Sequence, residues 1–510
     1  MWRRPPLPPS LLLPVPPLPS LPSLSALLLP LLPPPLARAR WVWQPPRSWV
    51  VVVAVTLFGG GVVGAATLFR IPEGGGAMSP RRVVLIGHGM VGHRFCEEIR
   101  RRDPDGSRVA LTVLAAEPRP AYNRILLPNL LSGVMREEEL SLGATGGVIV
   151  RTGTSAVALD LPGRTVLSSA GEAIGYDHLV LATGAVARIP KIPGIDRSVL
   201  ALRTVGDARR LTTIAADARR KHGRVIVLGG GVLGLEAARA LAARGTAVTV
   251  VHPVDRLMER QVDSGGGRVL AAAMRRTGVD IEVGVGASWW EPGQGLWTMP
   301  SGARRATGVP ATEIRGEARL IRATGMLVST GAAPDAGLAR DAGLRLTEFG
   351  AVAVDDTLTT SDPAVHAIGD CAGHPGAPGG LVQPGWEQAE VLAARLATVS
   401  LSTGDSGSRY RGSTILTRLK AAGIELTCVG DGLREEAPGA DPAPEILRFE
   451  DPARERYAKL VIEGDRIAGA IMIGLPDAAA SITQLYDRGA PAPADRLALL
   501  LGRALPPEVG

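Results

Sequence analysis

The chain has 510 residues, enough for two or three domains with complete cores. Its 45% apolar share and 63 glycines suit an α/β protein, and an aromatic share of 4% argues against a nucleic-acid reader built on stacked bases. The formal charge of +7 is concentrated before Met78, where Arg3, Arg4, Arg38, Arg40, Arg47 and Arg70 against Glu73 sum to +5, so the rest of the chain implies no nucleic-acid surface.

Residues 1–47 are dominated by Pro, Leu, Arg and Ser, a density of proline that neither helix nor sheet survives. Trp49 to Phe69 then runs without a charge for 21 residues, long enough to cross a bilayer, with Arg47 and Arg70 at its ends. Three readings of residues 1–77 stay open: a start codon set too early, with the protein beginning at Met78; a membrane anchor at 49–69; or a cleaved targeting segment. The first reading, which we favour, makes the protein cytoplasmic.

From Arg82 the sequence RVVLIGHGMVGHRFCEEIRRR predicts a buried strand, a turn carrying Gly87, Gly89 and Gly92, and a helix with Phe95 and Ile99 inward. In such a turn the first glycine permits the bend, the second lets backbone approach a pyrophosphate, and the third lets helix and strand pack closely. The helix N-terminus presents free N–H groups to the phosphates. A second strand, VALTVLAAE, ends at Glu117, placed to hold a ribose hydroxyl. The pattern recurs from Arg224 in RVIVLGGGVLGLEAARALAARGTAVTVVHP, with Gly229, Gly231 and Gly234 in the turn and His252 ending the strand. Two dinucleotide units in one chain imply hydride transfer between two dinucleotides. A neutral His252 tolerates a ribose hydroxyl, whereas a charged one, helped by Arg256, could meet a 2′-phosphate; NADH and NADPH both remain possible, with NADH preferred.

YDHLVLATGA (176–185) carries a strand into Ala182, Thr183 and Gly184; MLVSTGAAPD (326–335) repeats that form around Gly331; TLTTSDPAVHAIGDCAG (357–373) ends at Gly369 and Asp370. These stretches resemble the pyridine nucleotide–disulfide oxidoreductase superfamily, flavoprotein reductases with nested FAD and NAD(P) domains. The resemblance implies FAD at the first turn, NADH or NADPH at the second, and an Asp370 that bonds the FAD ribitol. Within that group GHGMVGHRF, EPRPAYNRILLPNLL (117–131), GLVQPGWEQAEVLAARL (380–396) and GSTILTRLKAAGIELTCVGD (412–431) resemble the flavoprotein part of assimilatory NAD(P)H nitrite reductase large subunits and nitrate reductase electron-transfer subunits. Arg124 matches an FAD-contacting arginine, Trp386 and Gln388 open a helix expected to cover the flavin ring, and Glu236 matches a glutamate near the flavin–nicotinamide contact. Glu236 is the single catalytic candidate, with a purely structural role as its alternative. The lysine that pairs with it in several relatives is replaced by Asn129.

Departures from the family pattern are informative. The C-x4-C pair of the disulfide reductases is absent after Glu117, and Cys96, Cys371 and Cys428 are too scattered for a disulfide framework, a zinc site or an iron–sulfur site. The histidines form no metal-binding motif either, so no metal is expected. Cys96 and Cys371 read as core residues, and His88 and His93 as structural or solvated.

The expected fold is α/β: two nested Rossmann-like units, with FAD-domain segments at 78–195 and 326–400 around an NAD(P) domain at 196–325, and a small α+β domain at 408–505. In the last, RYAKLVIEGDRIAGAIMIG predicts a hairpin turning at Gly464 among two or three strands and a helix. The expected function is an NAD(P)H oxidoreductase passing electrons through FAD to a separate iron–sulfur or sirohaem protein of nitrite or nitrate assimilation. The alternatives are a reductase of rubredoxin- or ferredoxin-type carriers and a membrane-attached NADH:quinone reductase.

Overall fold

The computed structural model describes residues 49–58, 61–70, 79–301, 318–398, 407–421, 423–435 and 443–502. The chain divides into two compact units, Met1–Met78 and Ser79–Gly510. In the first, Trp49–Phe58 and Gly61–Arg70 pair as an antiparallel hairpin, Trp49 opposite Arg70 and Phe58 opposite Gly61. The uncharged stretch, long enough to cross a bilayer, is thus paired as two strands. Its β-branched run Val50–Val53 favours a strand. No helix among the described residues is long and apolar enough to cross a membrane. The proline-rich segment before Trp49 lies outside the described residues.

The second unit holds two five-stranded parallel sheets of like construction. One has the order Val365–Ala367, His178–Leu181, Arg81–Ile86, Val109–Ala115, Ile149–Thr152. The other has the order Val199–Ala201, Gly325–Val328, Arg224–Leu228, Ala247–His252, Val279–Val283. Both read as short apolar runs because parallel strands are covered on both faces: Val83 to Ile86 and Val225 to Leu228 are buried throughout. Helices Met90–Arg102 and Val232–Ala243 follow the central strand of each sheet, and Phe95 and Ile99 are wholly buried on the first. Each sheet is followed by a three-stranded antiparallel sheet, Ala156–Asp160 with Thr165–Ser168 and Ala173–Gly175, and Val285–Glu291 with Gly295–Pro300 and Arg319–Arg322.

The chain leaves the first half along Ala185–Ala187 and returns along Ala332–Pro334, and these two strands pair with each other. Because Gly325–Val328 hydrogen-bonds to Arg224–Leu228, the return falls at Ala332–Pro334 and not at residue 326 as the sequence suggested. The crossing has a twofold pattern. Thr183 Oγ1 donates to Asp335 O (2.5 Å), whose own N–H donates to Gly184 O (2.9 Å). Thr330 Oγ1 donates to Arg188 O (2.7 Å), and Arg188 N–H donates to Gly331 O (3.0 Å).

The C-terminal part contains more strands than expected: a five-stranded antiparallel sheet in the order Leu416–Ala421, Ile424–Gly430, Arg466–Ile473, Arg456–Glu463, Glu445–Asp451, with helix Pro476–Arg488 on it. Glu445–Asp451 and Leu416–Ala421 mix charged with apolar residues without a strict period of two, which left them without a strand signal. The predicted turn is present, with Gly464 at φ +62°. This sheet packs on helix Ser264–Arg276 of the second half. There the Tyr457 hydroxyl donates to Asp263 Oδ2 (2.5 Å), whose other oxygen caps the helix at Gly266 N–H (3.0 Å). The fully buried Lys459 sends its Nζ to Glu435 Oε1 at 2.8 Å.

Candidate functional site

The two glycine turns share one construction. Gly87 has φ +104°, and a Cβ there would stand 2.2 Å from Ala182 O; Gly229 has φ +116°, and its Cβ would stand 2.2 Å from Ser329 O. Gly92 and Gly234 are constrained likewise, since a Cβ would lie 2.1 Å from Gly87 O and 2.3 Å from Gly229 O. The middle glycines differ. A Cβ at Gly231 would meet nothing within 4 Å, and one at Gly89 would meet only Arg124 Nε at 3.8 Å. Protein packing demands the outer glycines, while the middle ones face open space, as a turn that admits a ligand's phosphates requires. The helices that start there have no side-chain cap and no acid in their first turns. Their N–H groups are left to an anion.

A cavity of about 780 Å³ opens in front of the first turn. It brings together Gly87, Gly89, Glu117, Arg124, Ala182, Thr183, Gly184, Gly369, Asp370 and, from the second half, Glu236. Gly92 packs behind the turn, and Gly229, Gly231, Gly234 and His252 form the second turn outside this cavity. Gly331 sits in the interdomain crossing with φ +96°. Trp386, on the helix expected to cover the flavin ring, does not line the cavity; it is 39% exposed on helix Val382–Ala397. The helix lines the cavity through its first residue, Val382, and buried Gln388 braces it from behind, its Oε1 accepting Gly369 N–H at 2.7 Å.

Glu117 is held on two sides. Arg124 Nη2 donates to its Oε1, and the Tyr122 hydroxyl donates to its Oε2 at 2.9 Å. Burial pushes the Tyr122 phenol up to about 12, so it stays a donor. Arg124 also donates to Arg203 O (2.8 Å) and lies 5.0 Å from the Tyr122 ring centre. Asp370 Oδ1 accepts Gly380 N–H (3.0 Å) from the loop closing the cavity floor. Asn129, standing where relatives carry lysine, turns its amide to Met135 Sδ (3.6 Å) and does not line the cavity.

An acid at the end of the second strand, a cation beside the first turn, uncapped helix starts and middle glycines facing open space fit dinucleotides at both turns. Sequence reasoning missed Tyr122, Arg203 and the C-terminal contribution: Ile415, Thr417 and Arg418 also line the cavity. No local motif marks Arg203, Ile415, Thr417 or Arg418, because chain folding brings them to the cavity from distant parts of the chain, and Tyr122, although inside the quoted stretch 117–131, shows its role only through its bond to Glu117.

All three cysteines are buried and free. Burial pushes the Cys96 thiol up to about 12 and raises those of Cys371 and Cys428, so none has thiolate character. His88 lines the cavity with both ring nitrogens buried and unpartnered, and burial beside His93 pulls it down to about 4. The described residues hold no His, Cys, Asp and Glu cluster able to bind a metal.

Residues 81–394 match the pyridine nucleotide-disulphide oxidoreductase family, and residues 416–489 match the rubredoxin NAD+ reductase C-terminal domain. The chain is 32% identical over 403 residues to the nitrite reductase [NAD(P)H] of Bacillus subtilis (strain 168), covering 78% of this chain but 46% of that protein. It therefore spans less than half the length of that relative. It is also 32% identical over 332 residues to rhodocoxin reductase of Rhodococcus erythropolis, covering 62% of this chain and 72% of that one. In fold it resembles a chain of the covalent putidaredoxin reductase–putidaredoxin complex, with a TM-score of 0.67, 22% identity and coverage of 82% of this chain and 96% of that chain. The chain belongs to the pyridine nucleotide-disulphide oxidoreductase family and is an NAD(P)H-dependent flavoprotein oxidoreductase using FAD.

Proposed function

We propose that this chain carries electrons from NADH or NADPH to a separate iron–sulfur or sirohaem protein of nitrite or nitrate reduction. The observation that carries the reading is a nucleotide cavity without a single cysteine in its lining, in a chain similar to a nitrite reductase over 78% of its length. With no thiol relay at hand, electrons leave the cavity for an acceptor outside it. FAD, when bound, supplies the exchange between two-electron hydride chemistry and one-electron transfer.

Residue roles follow from position. The first turn and the start of helix Met90–Arg102 hold the flavin dinucleotide's phosphates, with Arg124 beside them. Glu117, fixed by Tyr122 and Arg124, accepts a ribose hydroxyl, and Asp370 accepts from the ribitol chain. The second turn, with Gly229, Gly231 and Gly234, holds the nicotinamide dinucleotide. Glu236 projects from the second half into the shared cavity and orients the nicotinamide against the flavin. The segments 78–195 and 332–400 serve as the flavin half and 196–331 as the nicotinamide half.

The test is anaerobic reduction of the purified yellow protein by NADH or NADPH, followed by mixing with candidate acceptors. Rapid reoxidation by a nitrite or nitrate reductase subunit supports the proposal. A second reading, a reductase of rubredoxin-type carriers, is supported by the match of residues 416–489 to the C-terminal domain of rubredoxin reductases. Reoxidation by a rubredoxin, with none by the nitrite or nitrate enzymes, would replace the first reading with the second.

A further inference from the structure

We propose that Glu259 makes this protein prefer NADH to NADPH; the inference rests on reading the second glycine turn as the nicotinamide dinucleotide's seat. In such units the carboxyl end of the strand after the turn meets the adenosine ribose, and an acid there accepts its hydroxyls and repels a 2′-phosphate. Here strand Ala247–His252 ends in a histidine, which by itself leaves the choice open.

The surroundings of His252 decide it. The ring is buried, and its Nδ1 stands 3.1 Å from Gly230 N–H. A backbone amide only donates, so Nδ1 accepts and the neutral ring's proton is on Nε2. Nε2 lies 3.0 Å from Glu259 Oε2 and donates to it. The imidazole is locked in place, because even a Cβ on Gly230 would stand 3.0 Å from His252 Cγ and 2.7 Å from Leu257 Cδ2. The histidine thus relays the turn's hydrogen bond outward and pins a carboxylate at the strand end. Glu259 is partly exposed, with its side chain at 28%, and retains acceptor capacity for a ribose hydroxyl.

The nearby cations do not reverse this charge. Arg256, which the sequence suggested as a phosphate helper, is turned into its own loop, Nε donating to Val262 O (3.1 Å) and Nη1 to Asp255 Oδ1 (2.9 Å). Arg260, its side chain 85% exposed, makes one long ion pair, Nε to Glu259 Oε1 at 3.9 Å, and lines the cavity at the first turn. A 2′-phosphate at the strand end would meet the Glu259 carboxylate, and Arg260, paired with that same carboxylate through one long contact, offsets the repulsion only in part.

The test measures dissociation constants of NAD+ and NADP+, and of 5′-AMP and adenosine 2′,5′-bisphosphate, by calorimetry on the FAD-loaded full chain. The expected result is at least about tenfold tighter binding of the unphosphorylated member of each pair. Glu259→Gln, close in shape and placed on a half-exposed loop, should shrink that ratio by about tenfold, mainly through tighter NADP+ binding. An unchanged ratio in Glu259→Gln overturns the proposal. So does a native preference for NADP+ that disappears in Arg260→Gln. Retention of FAD with no binding of any of the four nucleotides would instead overturn the reading of the second turn, and this inference with it.

Discussion

Gly231 separates what the protein needs from what its ligand needs. Since a Cβ there touches nothing of the protein, Gly231→Ala should fold with stability within about 0.5 kcal/mol of the native chain, by chemical denaturation. Its affinity for the nicotinamide nucleotide should nonetheless fall by about tenfold or more, by calorimetry, because the methyl occupies the approach of the pyrophosphate. Gly229→Ala should do the opposite kind of damage, since Ser329 O blocks its Cβ whether or not a ligand is present. The glycine spacing was legible in the sequence because each turn repeats a pattern fixed by backbone geometry; Glu117 was proposed from its place at a strand end and Asp370 from resemblance, and both line the cavity. Tyr122, Arg203 and Glu259 were not legible, because their roles depend on which side chain folds back onto which. Trp386 was read from resemblance as opening a helix over the ring, with packing as its alternative; in the structure Val382 is the residue of that helix that lines the cavity.

A residue-scale pH dependence follows from the histidine pair in the first sheet. His178 Nδ1 and His366 Nε2 are 3.1 Å apart, and Thr359 Oγ1 lies 3.3 Å from His366 Nδ1. Burial, with His178 close by, pulls His366 from its ordinary 6.5 down to about 3. The unfolded chain binds this proton below about pH 6.5 and the folded chain refuses it until about pH 3, so the contribution to stability is complete above pH 6.5 and is lost as the pH falls below it. The melting temperature should therefore decline from about pH 7 to about pH 5, and the decline should be shallower in His366→Gln, by thermal denaturation.

At the scale of elements, the parallel strands were readable because burial on both faces writes them as apolar runs, and their flanking glycines fixed the turns. The C-terminal edge strands were harder to see, since charged residues such as Arg418, Glu445, Arg448 and Glu450 stand exposed among their apolar ones. The crossing strands Ala185–Ala187 and Ala332–Pro334 are three residues each, below the length at which any pattern declares itself. A pair of threonine hydroxyls adds to their backbone pairing, so Thr330→Val should cost about 1 kcal/mol in chemical denaturation, the loss of one hydrogen bond at equal volume. Hydrogen exchange at the Arg188 amide, bonded to Gly331 O, should speed up in the same variant. Where the third domain meets helix Ser264–Arg276, Tyr457→Phe should remove a bond to a charged acceptor and lower stability by about 1.5 to 3 kcal/mol, read from the denaturation midpoint.

For the whole molecule, the absence of a usable thiol is the feature with the clearest consequence. Cys96, Cys371 and Cys428 are buried and their thiols are pushed up, so iodoacetamide should leave native protein unlabelled by mass spectrometry and label all three after denaturation. The rate at which a reduced nicotinamide bleaches the yellow protein should be unchanged by that treatment. Disulfide reductases that work through an exposed thiol pair would lose activity under the same conditions. The family and its two-nucleotide architecture were visible in sequence because the whole nested plan repeats its signals. The part played by the third domain was not, since Thr417 and Arg418 reach the cavity only once that domain is docked.

The threonine-latched crossing has one more implication. Thr183 sits in the flavin half and grips the returning chain, while Thr330 sits in the nicotinamide half and grips the departing one. Each latch lies at the end of the strand whose carbonyl, Ala182 O or Ser329 O, props the neighbouring glycine turn. The ribbon that joins the halves is thus built from the same few residues that shape both nucleotide berths. Rocking one half against the other would tug at both berths together, so nucleotide arrival at one should be felt as a change of fit at the other.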